Sequence, residues 1–326
     1  MTRSETVARD SEATLPWIAL GRRFTVWSES NGAVRAARAL APFAASAVGL
    51  WLCVKFCSGL DWHAVVQDLR RVGVGAPLLL LAPLVGNFVH MVGWRELLPV
   101  AARPSLGRSL AISLAAQSGN ELGLGVLGES LKVSELPREH RAIAWRAMLL
   151  DNLTALVALL AVIGSIALFL AGVTTEHAAR RLVVLGASLM FIVALLVGLS
   201  LWARRSQGAA RGVLFAFAAH YAGKLWIVVE FALVLALLGS VSVRSSALLG
   251  LVSTLASAAG AAIPGQLGVL EAALKGAASA CGLGTCTLVS VALLRRLRSM
   301  LWVVFGALLF WQLRAQRRTA PGALEP

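Results

Sequence analysis

The chain has 326 residues, 58% of them hydrophobic and only 14% charged, with a mean hydropathy of +0.77. A soluble protein of this length needs far more polar surface, and apolar runs of about twenty residues recur that match a hydrocarbon core of roughly 30 Å. The net charge of +14 does not point to nucleic acid, because the basic residues cluster at the ends of the apolar runs, as the positive-inside rule expects.

Residues 1–34 are polar and mixed in charge. They lack the short apolar core of a cleavable signal peptide and are expected to form a cytoplasmic segment. Strong spans are predicted at about 36–57, 76–98, 143–172, 182–203, 212–239 and 285–313. Between the first two, the stretch DWHAVVQDLRRVG (61–73) has apolar residues at helical spacing, which suits a helix lying along the outer interface. Segments 105–128 and 245–270 are weaker, rich in Gly, Ala and Ser, and interrupted by Gln117, Asn120 and Glu121 or by Pro264, Gly265 and Gln266. Unpaired backbone cannot face lipid, so both are predicted to be re-entrant hairpins buried in protein. Residues 314–326 form a basic tail.

Lys and Arg orient the chain. With the N-terminus inside, cytoplasmic stretches carry Arg103, Arg108, Lys132, Arg138, Arg141, Arg204, Arg205 and Arg211 among others, whereas the outer loops hold Arg70, Arg71, Arg180, Arg181, Arg244 and Lys275. Both termini are therefore expected in the cytoplasm. A repeat is visible as span, hairpin, span over 76–172 and again over 212–313, with LLDNL (149–153) matching LLRRL (293–297). An odd number of spans separates the hairpins, so they enter from opposite faces. The fold class predicted is an all-α polytopic membrane protein of about six transmembrane helices plus two re-entrant hairpins in an inverted repeat. Transporters built this way place substrate between broken helices at the midplane. Cys53, Cys57, Cys281 and Cys286 lack metal-type spacing and read as reduced thiols, with a disulfide as the minor option.

The two breaks carry the most specific pattern. Leu127-Gly128-Glu129 follows the first, and Pro264-Gly265-Gln266-Leu267-Gly268-Val269-Leu270-Glu271 forms the second. Together with Asp151-Asn152 and Arg295-Arg296 in the spans that follow, they make residues 40–313 resemble the transmembrane region of lysylphosphatidylglycerol synthases and its stand-alone flippase-like relatives. The resemblance implies movement of an anionic or modified phospholipid between leaflets of a bacterial inner membrane. The family's Asp-Arg is here Asp151-Asn152, so Asp151 must find its partner elsewhere. Aminoacyl transfer belongs to a separate soluble domain in that family, and too little chain follows residue 313 to hold it, so synthase activity is not expected.

Ionisable residues inside apolar spans are costly and mark function by default. Candidate substrate-binding residues are Glu129, Asp151, Lys224, Pro264, Gly265, Gly268, Glu271, Arg295 and Arg296. Glu129 and Glu271 read either as carboxylates stabilising the positive end of a half-helix or as partners of a mobile Arg or a headgroup. Arg295 and Arg296 read either as buried ion pairs with Asp151 or a Glu, or as a phosphate clamp. His220 and Lys224 lie one turn apart on one face and form a cavity-facing polar stripe in preference to a proton relay, with Glu230 turned away. Asp151 and Arg295 are expected to meet near the repeat axis, with Glu129 and Glu271 around the same cavity. Trp94, Trp145, Trp202, Trp226, Trp302 and Trp311 read mostly as interface anchors or packing. No nucleophile–base pair, metal cluster or Walker-type loop is seen, so no catalytic or metal residues and no cofactor are expected. The partner is a membrane lipid, with a homo-oligomer or a pathway enzyme as further possibilities. The alternatives are a membrane enzyme acting on a lipid headgroup with Glu129 or Glu271 as base, and a non-catalytic partner of a lipid or glycan pathway.

Overall fold

Alternation between long apolar runs and short runs of Gly, Ala and Ser sets the architecture. The computed structural model describes residues 61–121, 125–174, 210–260 and 268–319, with Trp51, Val54, Val197 and Gln266, all within the unit Gly49–Pro326. Among these residues every regular element is helical: α1 (Trp62–Val72), α2 (Ala76–Leu97), α3 (Leu106–Glu121), α4 (Gly125–Ser134), α5 (Arg141–Thr174), α6 (Ala210–Leu237), α7 (Val243–Ala259), α8 (Val269–Gly276), α9 (Ala278–Cys281) and α10 (Thr285–Thr319). Predicted spans 36–57 and 182–203 lie almost wholly outside the described residues, as do Pro264 and Gly265.

Three stretches, Ala76–Leu97, Arg138–Leu170 and Arg211–Leu237, are long and apolar enough to cross a membrane. That is the composition an α-helical membrane protein requires. The 35 residues of α10 have the length, but Arg295, Arg296 and Arg298 interrupt its apolar run. By contrast α3, with 16 residues, and α4, with 10, reach only about 24 and 15 Å at the helical rise. Neither crosses a hydrocarbon core alone. The same holds for α7, with 17 residues, and α8, with 8.

The limbs of the first hairpin cross at Gly119 and Gly128. A Cβ on Gly128 would sit 2.5 Å from the Ala116 carbonyl oxygen, and one on Gly119 2.9 Å from the Gly128 Cα. Only glycine permits this approach. In the second hairpin the Pro-Gly-rich stretch ends in left-handed backbone, with Gln266 at φ 51° and Gly268 at φ 78°, and Gly268 is the N-cap of α8. The hairpins are longer than predicted: α4 runs past residue 128 to Ser134, and α8 begins only at Val269. Gly and Ser mark where the limbs cross, not where they end. The last helix likewise continues to Thr319 through the start of the predicted tail, since Arg and Gln are good helix formers.

Small residues set the packing between long helices. On α2, Gly93 meets Ala216 and Ala219 of α6 and Gly86 meets Gly223; on α10, Gly306 meets the Leu114 carbonyl and Ser118 of α3. A core of Val65, Leu79, Leu235, Leu249, Leu274 and Leu288 gathers around the second hairpin. A second core of Trp94, Leu98, Ile112, Val133 and Ala144 gathers around the first. The amphipathic α1 buries Val65 and Val72 and exposes Trp62 and Val66, with Asp61 capping its start by accepting from the His63 and Ala64 amides.

Pro83 interrupts α2 without ending it. Proline lacks the amide that would close the preceding turn and crowds the carbonyls behind it. Two indoles donate to carbonyls of the same turn: Trp302 Nε1 to Leu80 O at 3.0 Å and Trp226 Nε1 to Ala82 O at 2.7 Å. These tryptophans bridge α10 and α6 to α2. Trp94 is buried, whereas Trp145 and Trp311 are exposed, and Trp202 lies outside the described residues.

Candidate functional site

The ionisable residues packed among the apolar helices fall into three groups, each set by helix register. The first fastens the first hairpin. Glu129 and Lys132 stand one turn apart on α4, with Lys132 Nζ 2.9 Å from Glu129 Oε2 and 3.5 Å from Asp151 Oδ2 on α5. The second Asp151 oxygen lies 2.6 Å from His220 Nε2 on α6. His220 Nδ1 in turn lies 2.8 Å from His90 Nδ1 on α2. Asn120 of α3 donates to Glu129 Oε1 at 3.0 Å. Asp151 and His220 are buried at 3% and 5% exposure, so each is held by its partners instead of by water.

The second group fastens the second hairpin. Arg296 of α10 meets Glu271 through Nε at 2.6 Å and Nη2 at 3.1 Å, and Nη2 also donates to the Gln266 carbonyl at 2.7 Å. This is the two-pronged geometry that suits a guanidinium to a carboxylate. Glu271 stands in the first turn of α8, where the helix dipole also favours a negative charge. Glu271 thus stands at a helix start and pairs with Arg296 at once.

The third group lines a cleft of about 400 Å³ between α2, α3, α6, α7 and α10. Along α10, Arg295, Arg298, Ser299 and Trp302 line it at helical spacing, while Arg296, about 100° away, points to the hairpin. Opposite stand Asn87 and His90 of α2, Gln117 and Glu121 of α3, Lys224 and Glu230 of α6, and Thr254 and Ser257 of α7. Arg298 Nη1 pairs with Glu230 at 2.6 Å, and Gln117 donates to Glu121 at 3.1 Å. Among the described residues Lys224 and Arg295 have no carboxylate within ion-pair distance; the Arg295 guanidinium instead lies 5.3 Å over the Phe231 ring. Three cations, Lys224, Arg295 and Arg298, thus face two carboxylates, Glu121 and Glu230, along the walls, a net positive lining that suits an anion.

A second concavity of about 570 Å³ adjoins the cleft, lined by Leu80, Leu81 and Leu84 of α2, Leu110 and Leu114 of α3, and Leu301, Phe305 and Leu309 of α10. Trp302 borders both spaces. One polar chamber therefore meets one apolar groove across a single indole.

The structure separates the residues that sequence reasoning had grouped. Lys224 and Arg295 line the cleft; Glu129 and Asp151 belong to the first anchor, Glu271 and Arg296 to the second; Gly268 supplies the cap of α8. Pro264 and Gly265 lie outside the described residues. Asp151 meets Lys132 and His220, not Arg295, because equivalent positions in two halves need not touch. Glu230 faces the same cleft as Lys224, since Ile227 and Glu230 continue one face of α6 past the turn that Lys224 begins. Sequence reasoning missed His90, Lys132 as a buried partner, and the Glu230–Arg298 pair. A histidine in the middle of span 76–98 was the available signal for His90. Lys132 had been counted with the cytoplasmic charges; its side chain is only 12% exposed.

Cys281 and Cys286 are free thiols, and among the described residues no three His, Cys, Asp or Glu side chains are grouped to hold a metal ion. No family model matches the chain, and no curated protein or solved structure gives a significant match.

Proposed function

We propose that the protein is an integral-membrane lipid translocator, flippase-like, that moves an anionic or modified lipid between leaflets. The observation that carries this reading is the junction at Trp302 of a cleft holding Lys224 and Arg295 with a groove walled by leucine and phenylalanine. A phosphate-bearing headgroup suits the first space and an acyl chain the second.

The remainder of the proposal concerns placement. The order of long helix, hairpin and long helix occurs twice, and in each half the hairpin's second limb is tied by charge to the last long helix. This order supports a repeat with re-entrant hairpins, for which we propose the inverted arrangement and six spans. The Lys and Arg distribution supports cytoplasmic termini, and the Leu127–Glu129 and Pro264–Glu271 patterns are the ground for proposing kinship with the transmembrane region of lysylphosphatidylglycerol synthases in a bacterial inner membrane. A headgroup-modifying enzyme using Glu129 or Glu271 as base is the poorer reading, because both carboxylates are engaged by Lys132 or Arg296 and neither lines the cleft.

The test is leaflet exchange by purified protein in vesicles. Fluorescent phosphatidylglycerol added to one leaflet is expected to become inaccessible to a membrane-impermeant quencher faster with protein than without, and to be recovered chemically unchanged. Exchange no faster than in protein-free vesicles for phosphatidylglycerol and for aminoacylated and glycosylated lipids would end the proposal.

A further inference from the structure

His90 lines the cleft, and its ring connects through His220 to Asp151 in a continuous line of hydrogen bonds. Two imidazoles that meet Nδ1 to Nδ1 at 2.8 Å must hold one proton between them, since two lone pairs or two N–H groups would repel. Asp151 Oδ1, 2.6 Å from His220 Nε2, fixes the proton on that nitrogen, because a carboxylate only accepts. In the uncharged pair His220 Nδ1 therefore carries a lone pair, His90 Nδ1 carries the shared proton, and His90 Nε2 is left as a lone pair. That nitrogen has no partner among the described residues, and Gly223 gives the ring its room: a Cβ there would lie 2.8 Å from His90 Nε2.

We propose that His90 and His220 form a proton-binding site that switches the cleft-facing nitrogen of His90 from acceptor to donor, so that a proton and an anionic headgroup occupy the cleft together. A hydronium ion reaching the cleft from solution breaks one O–H bond and leaves as water, and its proton bonds to His90 Nε2. The Nδ1–H bond of His90 breaks and the same proton bonds to His220 Nδ1. The pair has gained one proton: His220 is now an imidazolium against Asp151, and His90 is neutral with its N–H on Nε2, able to donate to a phosphate oxygen. The groups facing the pair are Lys224 on α6, Asp151 on α5, and Lys132 with Glu129 on α4 beyond it. Asp151 balances the new charge while Lys132 stops it from being over-balanced. An anion between Lys224 and Arg295 favours the protonated pair, and by reciprocity the protonated pair favours the anion. The inference rests on the cleft being the headgroup site, and it names the ion that would accompany the lipid.

Two measurements test it separately from that reading. In lipid-free micelles, protein labelled with ¹⁵N-histidine and titrated from about pH 9 to pH 4 is expected to show coupling between the two Nδ1 nuclei. It should also show His220 becoming doubly protonated as His90 Nε2 gains its proton. Rings that titrate independently, or a His220 that keeps one tautomer throughout, overturn the proton site whatever the lipid does. Next, binding of short-chain phosphatidylglycerol is measured across the same range, with phosphatidylcholine as control. Wild-type affinity is expected to rise about tenfold or more as the pair gains its proton, and H90Q to lose that rise while still folding, since His90 has a single polar contact among the described residues. A pH profile in H90Q equal to wild type overturns the coupling while leaving the cleft as the headgroup site. Absence of phosphatidylglycerol binding by wild type at every pH overturns the cleft reading and the joint entry with it.

Discussion

The two helical hairpins are fastened to the long helices that follow them by opposite means. In the first, a cation on the hairpin, Lys132, reaches an acid on the long helix, Asp151, at 3.5 Å; in the second, an acid on the hairpin, Glu271, is gripped by a cation on the long helix, Arg296, at 2.6 and 3.1 Å. Both solve one problem, since a short helix packed among apolar helices needs its broken backbone and its charges tied down. The solutions differ in reach. Glu271 and Arg296 close on each other and on the Gln266 carbonyl, whereas Asp151 serves Lys132 with one oxygen and His220 with the other, and His220 leads on to the cleft. One anchor is a closed clasp and the other is open to the chamber between the halves.

The largest effect separates the anchors. Asp151→Ala takes the only ion-pair carboxylate among the described residues from the buried His220 and leaves Lys132 with Glu129 alone, and is expected to cost about 3–5 kcal/mol, the range for breaking a buried pair. Glu271→Gln keeps an amide oxygen for Arg296 and leaves the Gln266 carbonyl in place, so about 1–3 kcal/mol is expected. Unfolding in detergent micelles, followed by helix signal against temperature, ranks the two. Equal losses would dissolve the distinction between open and closed anchors.

The hairpins also differ in how closely their limbs touch. A Cβ on Gly128 runs into the Ala116 carbonyl at 2.5 Å, whereas one on Gly260 meets Ala256 O at 3.1 Å and side chains at 3.4 Å. Gly128→Ala is therefore expected to cost about 1–3 kcal/mol, as overpacking does, and Gly260→Ala under about 1 kcal/mol. The same melting measurement decides. A Gly260→Ala loss as large as that of Gly128→Ala would mean the second hairpin is packed as tightly as the first.

The smallest expected effect on stability belongs to the cleft. Arg295 has no carboxylate partner among the described residues and lies 5.3 Å over Phe231, so Arg295→Ala should forfeit about 0.5–1 kcal/mol, the worth of a cation–π contact. Its cost should fall on binding instead. A melting loss as large as that of Asp151→Ala would recast Arg295 as a third anchor.

Legibility followed the range of the physics. The long helices α2, α5 and α6 are apolar runs with little competition, and the close crossing at Gly128 and the helix cap at Gly268 announce themselves by residue type. Glu271 as a helix-start carboxylate could be read from its place just after a glycine. What sequence could not carry was register. Arg295 and Arg296 are neighbours in the chain, yet a turn of about 100° sends one to the cleft and the other to the clasp. The match of LLDNL to LLRRL marked Asp151 and Arg295 as equivalent, and equivalence was mistaken for contact. The true partner of Asp151, His220, lies on another helix with His90 behind it, and no local pattern links these residues. The groove beside Trp302 was likewise invisible, since it exists only where α2, α3 and α10 converge.

The central claim is that the chamber between the halves, and not either anchor, holds the headgroup. Leaflet exchange of labelled phosphatidylglycerol in vesicles tests it most directly, comparing wild type with a Lys224→Ala, Arg295→Ala double variant and with Glu271→Gln, each normalised to folded protein. The account predicts that the double variant melts near wild type yet exchanges lipid about tenfold more slowly or worse, a loss of roughly 1.4 kcal/mol or more, while folded Glu271→Gln keeps wild-type exchange. Normal exchange by the double variant, with loss in folded Glu271→Gln, would contradict it and move the headgroup site to the hairpin.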